Sequence, residues 1–226
     1  MADDSPLRSD ALDVPHGFLG AAASEAGQFA EAIGEAPPVF VRQVHSAKAL
    51  AMSEPACKDD LPEADALATA TPGIALGIVT ADCAPVLLAD RRAGVIGAAH
   101  AGWRGAHGGV LEAVVDAMTG LGASADGIVA AIGPAIAQKS YEVDEGFRAQ
   151  FAEDDARFFS PGKPGHWQFD LEGYVSRRLF RAGVGTVDRL STDTYANPAL
   201  YHSYRRATHR GEPTYGRQFS LIALPS

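Results

Sequence analysis

Apolar residues along this 226-residue chain follow two rhythms that alternate with one another. Strand-length apolar or alternating runs occur at Val39 to His45, Ile74 to Val79, Val86 to Ala89, Gly94 to His100 and Gly127 to Ile132, with shorter ones at Thr186 to Leu190 and Arg217 to Leu224. Ala47 to Met52 extends the same sheet pattern. Helical spacing appears at Ser24 to Ile33, which Gly34 and the Pro37-Pro38 pair end, and at Val110 to Leu121, where Val110, Val114, Ala117 and Met118 share one face. Two further helices are predicted near Asp144 to Glu153 and Leu171 to Ala182. The polar stretch from Ser53 to Pro62 reads as a loop, and Ala64 to Thr69 runs into a turn at Pro72-Gly73.

The centre of the chain is the most ordered part of the pattern. Gly94 to His100 is rich in Gly and Ala, so other backbones can pack closely on it. A glycine-rich turn (HAGWRGAHGG), the helix from Val110 and the strand ending at Ile132 follow, which makes a βαβ-like unit. The fold class is therefore α/β (α+β) built on a mixed β-sheet sandwich. Residues 1–15 read as a loosely packed start and 16–226 as a single domain, since neither a linker nor a short-period repeat divides it.

Composition narrows the function classes. A net charge of −9 argues against a general nucleic-acid or membrane-surface binder, yet leaves room for a small anionic substrate held by local arginines. Two cysteines are too few for a disulfide framework and suit a reduced, cytoplasmic setting. The acidic first residues do not resemble a secretory signal, and the most apolar stretches carry Asp, Cys and Pro, unlike a membrane span.

Three residues stand near the ends of strand-like runs: His45 in VRQVHS, Cys83 in TADC and His100 in HAGWRG. Two imidazoles and a thiolate suit zinc, with a fourth position left for water or substrate. Each residue read alone has a plainer role, a core cysteine or a hydrogen-bonded histidine, and their separations follow no finger pattern. Cys83 with His100 as base would also make a cysteine hydrolase site. Asp82 is a candidate ligand-orienting group or general base, or equally a turn residue. Arg104, beside the glycine turn and the free amides expected near Gly108 and Gly109, is a candidate anion ligand. Arg42, Arg205, Arg206 and Arg217 are further anion candidates, and His107 sits beside the same turn.

The segments QVHS, DALATATPGIALGIVTADCAPVLLAD, GVIGAAHAGWRG, IGPAIAQKSYEV and SYRRATHRGEPTYGRQFSLIAL, in that order from about Val39 to Leu224, resemble the laccase-domain (polyphenol-oxidase-like) family, now largely described as purine nucleoside phosphorylases. The resemblance implies a sandwich with helices on its outer faces, in α/β/β/α layers. It implies a zinc on His45, Cys83 and His100, with copper possible at the same site. It further implies phosphorolysis of adenosine, inosine, guanosine and methylthioadenosine together with adenosine deamination, or, under the family's older label, copper-dependent phenol oxidation. Purine nucleosides and phosphate are then the partners of a monomer or weak oligomer. Read from the residues themselves and not from the family, Arg42, Arg104 and Arg206 are assigned to substrate or phosphate, and Asp82 is grouped with the catalytic set. A catalytically inactive binding protein of the same fold is the remaining alternative. The chain departs from the family in a contracted HGFLGAAASEAG segment, and in Ala135 and Asp193, where Cys is frequent.

Overall fold

The computed structural model describes residues 5–22, 27–54, 61–213 and 216–225. In chain order the elements are β1 (His16–Phe18), α1 (Gly27–Ile33), β2 (Pro38–Val39), β3 (Ala49–Ala51), β4 (Ala66–Thr69), β5 (Ala75–Thr80), β6 (Ala84–Asp90) and β7 (Val95–Ala101). There follow α2 (Trp103–Gly108), α3 (Val110–Gly120), β8 (Val129–Ile132), β9 (Glu142–Asp144), α4 (Glu145–Arg148), β10 (Phe159–Pro161), β11 (His166–Phe169), α5 (Leu171–Arg181), β12 (Thr186–Arg189), α6 (Tyr204–Arg210) and β13 (Gln218–Ala223). A six-stranded mixed sheet in the order β12-β8-β6-β7-β4-β3 faces a four-stranded sheet in the order β1-β13-β5-β2.

The period-2 pattern sorts the side chains into layers. Leu67, Leu87, Ile96 and Ala131 of the larger sheet meet Leu76, Ile78 and Ile222 of the smaller one in the core between the sheets. The alternate residues Val86, Leu88, Val95, Ala99 and Ile132 turn outward and pack under Val110, Val114 and Met118 of α3 and Val175 and Leu179 of α5. On the opposite side, Ala75, Leu221 and Ala223 lie against Ala32 and Ile33 of α1. The result is the α/β/β/α layering. Leu67, Leu87 and Ile96 are fully buried, and each such side chain contributes about 1.5–3 kcal/mol. Gly97 lets α3 sit close, because a Cβ there would lie 2.8 Å from Met118 Sδ and 3.2 Å from Val114 Cγ2. β7 and β8 run parallel on either side of antiparallel β6, so β7-α2-α3-β8 is a crossover unit.

Several elements differ from the sequence expectations. Of the strand expected over Val39 to His45 only Val39, with Pro38 before it, pairs with β5. Beyond it the Gln43 side chain stands in for backbone, donating to Val79 O at 2.7 Å and accepting from Val79 N at 2.9 Å. The helix expected over Asp144 to Glu153 shrinks to α4, since β9 pairs Glu142–Asp144 with β11 and a 3-10 turn takes over at Glu153–Phe158. The three-stranded sheet β10-β11-β9 and helix α6 went unseen in the sequence, being short and weakly periodic. Helix α1 begins at Gly27 among the described residues, and 24–26 lie outside them, as does most of the loop expected at Ser53 to Pro62. Residues 5–15, read as loose, are packed: Leu7 and Phe18 exchange backbone hydrogen bonds of 2.9 Å, and Leu12 enters the core between the sheets.

His16 in β1 ties this segment down. Its Nδ1–H donates to Val14 O at 2.8 Å and its Nε2 accepts from Ser9 N at 3.0 Å, which requires the neutral ring. Burial depresses its pKa below the usual 6.5, and the nearby Arg8 charge adds to this against the Val14 hydrogen bond. The unfolded chain therefore binds a proton at this residue before the folded one does, so the stability it contributes is complete above pH 6.5 and is lost as pH falls below it. Thermal denaturation at pH 7 and pH 5 should show a drop in midpoint that is smaller in His16→Gln than in the unaltered protein. An equal drop in both would refute this role.

Candidate metal centre

Two loops and one strand deliver the ligand candidates to one end of the sandwich. Cys83 sits in the tight turn between β5 and β6, His100 near the end of β7, and His45 on the irregular stretch before β3. Their ligand atoms lie within 4.8 Å of one another, the one such grouping of three His, Cys, Asp or Glu side chains among the described residues. Cys83 Sγ is 4.0 Å from His45 Nε2, and the two imidazoles meet edge to face with centroids 4.8 Å apart. In a tetrahedral zinc site the N and S donors are separated by roughly 3.3–3.7 Å, so closing on an ion takes small inward shifts. The donor set fits. His45 is exposed and Cys83 half-exposed while His100 is buried, which leaves one side of the cluster open.

Asp65, immediately before β4, holds the arrangement. Its fully buried carboxylate accepts from the amides of Val44 (3.2 Å), His45 (3.0 Å) and Ser46 (2.6 Å) and from Ser46 Oγ (2.8 Å). Its Oδ1 also bonds His100 Nδ1 at 2.8 Å. That contact fixes the ring so that Nε2 faces Cys83, as a ligand-orienting carboxylate should. His45 has φ of 60°, a left-handed conformation costly for a side chain other than glycine, and the three amide bonds to Asp65 hold it there. Sequence reasoning missed Asp65, although it lies in DALATA, one of the segments carrying the resemblance. Gly102 completes the fit, since a Cβ there would stand 2.8 Å from Cys83 Sγ and 3.2 Å from His45 Cδ2.

The electrostatics favour the deprotonated thiol. Burial pushes Cys83 up, but the charge of His100 and hydrogen bonds from His100 and His45 outweigh it and bring the thiol to about 6. Burial likewise pushes His100 down, and the Cys83 thiolate and Asp65 raise it to about 9. Asp65 is held well below the usual carboxylate range: burial opposes this, and the hydrogen bonds from His100 and Ser46 prevail.

The other candidates are more dispersed. Asp82, with φ of 83°, points its buried carboxylate at Thr194 Oγ1 (2.6 Å), Ser203 Oγ (3.0 Å) and Arg205 N (2.7 Å). Arg206 donates from its Nη atoms to the carbonyls of Thr194, Tyr195 and Tyr201. Arg42 is largely exposed and pairs with Glu63 at 2.8 Å. Arg104 is exposed on α2, stacked 4.7 Å over Trp103. The amides near Gly109 open a helix whose first turn carries Glu112, ion-paired with Arg178 at 2.6 Å, so an acid already occupies that neighbourhood. His107 packs against Phe151. Ala135 and Asp193 prove to be neighbours in an isolated parallel bridge, with Asp193 accepting from Ser140 Oγ at 2.8 Å.

Fold and cluster together define a layered α/β protein with an open, three-ligand His/Cys/His centre. The family model described as multi-copper polyphenol oxidoreductase laccase matches residues 21–225, and the chain belongs to that family. It is 40% identical over 208 residues to a purine nucleoside phosphorylase of Deinococcus radiodurans, covering 90% of this chain and 77% of that one. It is also 40% identical over 168 residues to a purine nucleoside phosphorylase of Rickettsia conorii, covering 73% and 69%. The crystal structure of Bacillus licheniformis hypothetical protein YfiH superposes with a TM-score of 0.81 at 25% identity, over 92% of each chain. Among the described residues no helix is long and apolar enough to cross a membrane.

Because Asp65 orients His100 and the His45 loop together, Asp65→Asn should lower metal affinity about 10–100-fold. Competition against a chromogenic chelator measures this, and affinity within twofold of the unaltered protein would refute the orienting role.

Proposed function

We propose that the protein is a zinc-dependent purine nucleoside phosphorylase, acting on adenosine, inosine, guanosine and methylthioadenosine, that also deaminates adenosine. The observation that carries this reading is the converging His45, Cys83 and His100 donors with one open side. Its support is the naming of the relatives from Deinococcus and Rickettsia.

His45, Cys83 and His100 would hold the ion. When bound, it supplies a Lewis acid for stabilising charge and activating water. The chain's own residues prepare the ground for that chemistry. Asp65 keeps His100 Nδ1 engaged, so the nitrogen facing Cys83 is Nε2. Gly102 keeps the space beside Cys83 and His45 clear of a side chain. In phosphorolysis a phosphate oxygen bonds to the ribose carbon as the bond to the base breaks, and the base leaves with a proton. Cationic side chains serve this reaction by holding the phosphate in line. Arg104 belongs to the helix that begins beside the cluster and has no carboxylate partner among the described residues, so it is the most available of the three arginines proposed from sequence.

A second reading is laccase-like oxidation of phenols by copper on the same donors. The family model's description favours it, and a His/Cys/His set also suits copper. A multicopper oxidase needs additional ligand clusters, and among the described residues there is one.

Zinc-loaded protein incubated with adenosine should release adenine and ribose 1-phosphate only when phosphate is present, and inosine with or without it. Cys83→Ala should lower both rates at least about 100-fold. No product from metal-loaded protein would overturn the reading. Full turnover by metal-free protein would instead favour Cys83 as a nucleophile, and copper in protein from unsupplemented cells with phenol oxidation would favour the second reading.

A further inference from the structure

We propose that Arg205 and Tyr141 form the oxyanion subsite beside the metal centre, where inorganic phosphate binds, and that Asp82 is the residue that positions them. The identity of the anion rests on the phosphorolytic reading above; the subsite itself rests on geometry.

Asp82 is the covalent neighbour of Cys83, yet its carboxylate turns away from the cluster. It binds the hydroxyls of Thr194 and Ser203 and the amide of Arg205, groups more than 100 residues further along the chain. With three donors on a buried carboxylate, Asp82 is poorly suited to take a substrate proton. Its effect is to anchor the Arg205 backbone one residue from a metal ligand.

From that anchor the Arg205 side chain reaches β9, where Nη1 donates to Glu142 O at 2.7 Å and the guanidinium lies 5.2 Å from the centre of the Tyr141 ring. The group is thus held in place by one nitrogen and one face. No carboxylate pairs with it among the described residues, although the chain is acidic overall. A half-buried, immobilised and unpaired guanidinium is suited to a bidentate oxyanion contact. Tyr141 is half-buried and lies on the edge of the aromatic cluster formed with Phe147 and Phe169. Burial raises its phenol pKa and the charges of Cys83 and Asp82 add to this, against those of Arg205 and Arg104. The hydroxyl therefore stays protonated at neutral pH and can donate a hydrogen bond to an oxyanion.

Calorimetric titration of inorganic phosphate into zinc-loaded protein tests the subsite directly. The unaltered protein should bind phosphate, Arg205→Gln should weaken binding at least about tenfold, Arg205→Lys should restore part of it and Tyr141→Phe should cost about threefold. Asp82→Asn should weaken phosphate while leaving zinc content unchanged, a separation that general unfolding would not give. In turnover, the phosphate KM should rise in Arg205→Gln by the same factor, and the nucleoside KM should move far less. Absent phosphate binding by the unaltered protein, or phosphate affinity unchanged in folded Arg205→Gln, would overturn the subsite. If Arg205→Gln does not fold, unchanged affinity in both Arg205→Lys and Tyr141→Phe overturns it, and unchanged affinity in Asp82→Asn overturns the positioning role. Arg205-dependent phosphate binding without phosphorolysis would retain the subsite and overturn the phosphorylase reading instead.

Discussion

The buried carboxylate of Asp65 is the interaction on which the metal centre depends. An unpaired charge in this position would be prohibitive. Here every face of the carboxylate has a donor: three consecutive amides, one hydroxyl and the imidazole of His100. Those same bonds bend residues 44–46 into the turn that presents His45, and they set the ring orientation of His100. The carboxylate and its backbone act together, because Asp65 O also accepts from His100 N at 2.7 Å. One residue thus places two of the three ligands and pins an edge of β4 to the end of β7.

Asp82 has a matching role on the other side of the cluster. Both Asp82 and His45 adopt left-handed backbone conformations, and both are over-determined by hydrogen bonds. Strain of about 1–3 kcal/mol per residue is tolerated where the surroundings leave no alternative. The two acids bind to different parts of the chain, Asp65 to residues 44–46 and His100 and Asp82 to segments near the C-terminus. Between them they connect residues 44–46, 82–83, 100, 194 and 203–205 around one open space.

The sandwich supplies the rigidity behind this. Because the central strands β6 and β7 of the large sheet are buried on both faces, a slip of one residue would exchange the contents of the two cores and move His100 to the wrong side. Gly97 brings α3 down onto β7, and α2 begins directly after the last residue of that strand and Gly102. The start of the helix and the metal ligand are therefore fixed by the same packing. Ala135 and Asp193, the positions where the family often has Cys, are joined here by a backbone bridge, and the Asp193 carboxylate ties down Ser140 beside Tyr141. That departure touches the segment leading to Tyr141 and leaves the three ligands alone.

The amino-acid sequence by itself determined most strands of the large sheet and the helices α3 and α5, because period-2 and period-3.6 burial are local properties. It offered His45, Cys83 and His100 as candidates, while the layered class and the three-ligand set were what the family resemblance implied. Short elements such as β9 to β11 and α6 left too weak a period to read. The partners of the ligands were beyond it as well. Asp65 resembles any strand-leading acid, Asp82 any turn acid and Arg205 any arginine, until folding brings together residues separated by 35 and by 123 positions. Only the tertiary structure decided which carboxylate orients a histidine, which one anchors the chain near the C-terminus, and which arginines have no carboxylate partner among the described residues. Those properties belong to the surroundings of a group in space, and spacing along the chain carries no record of them.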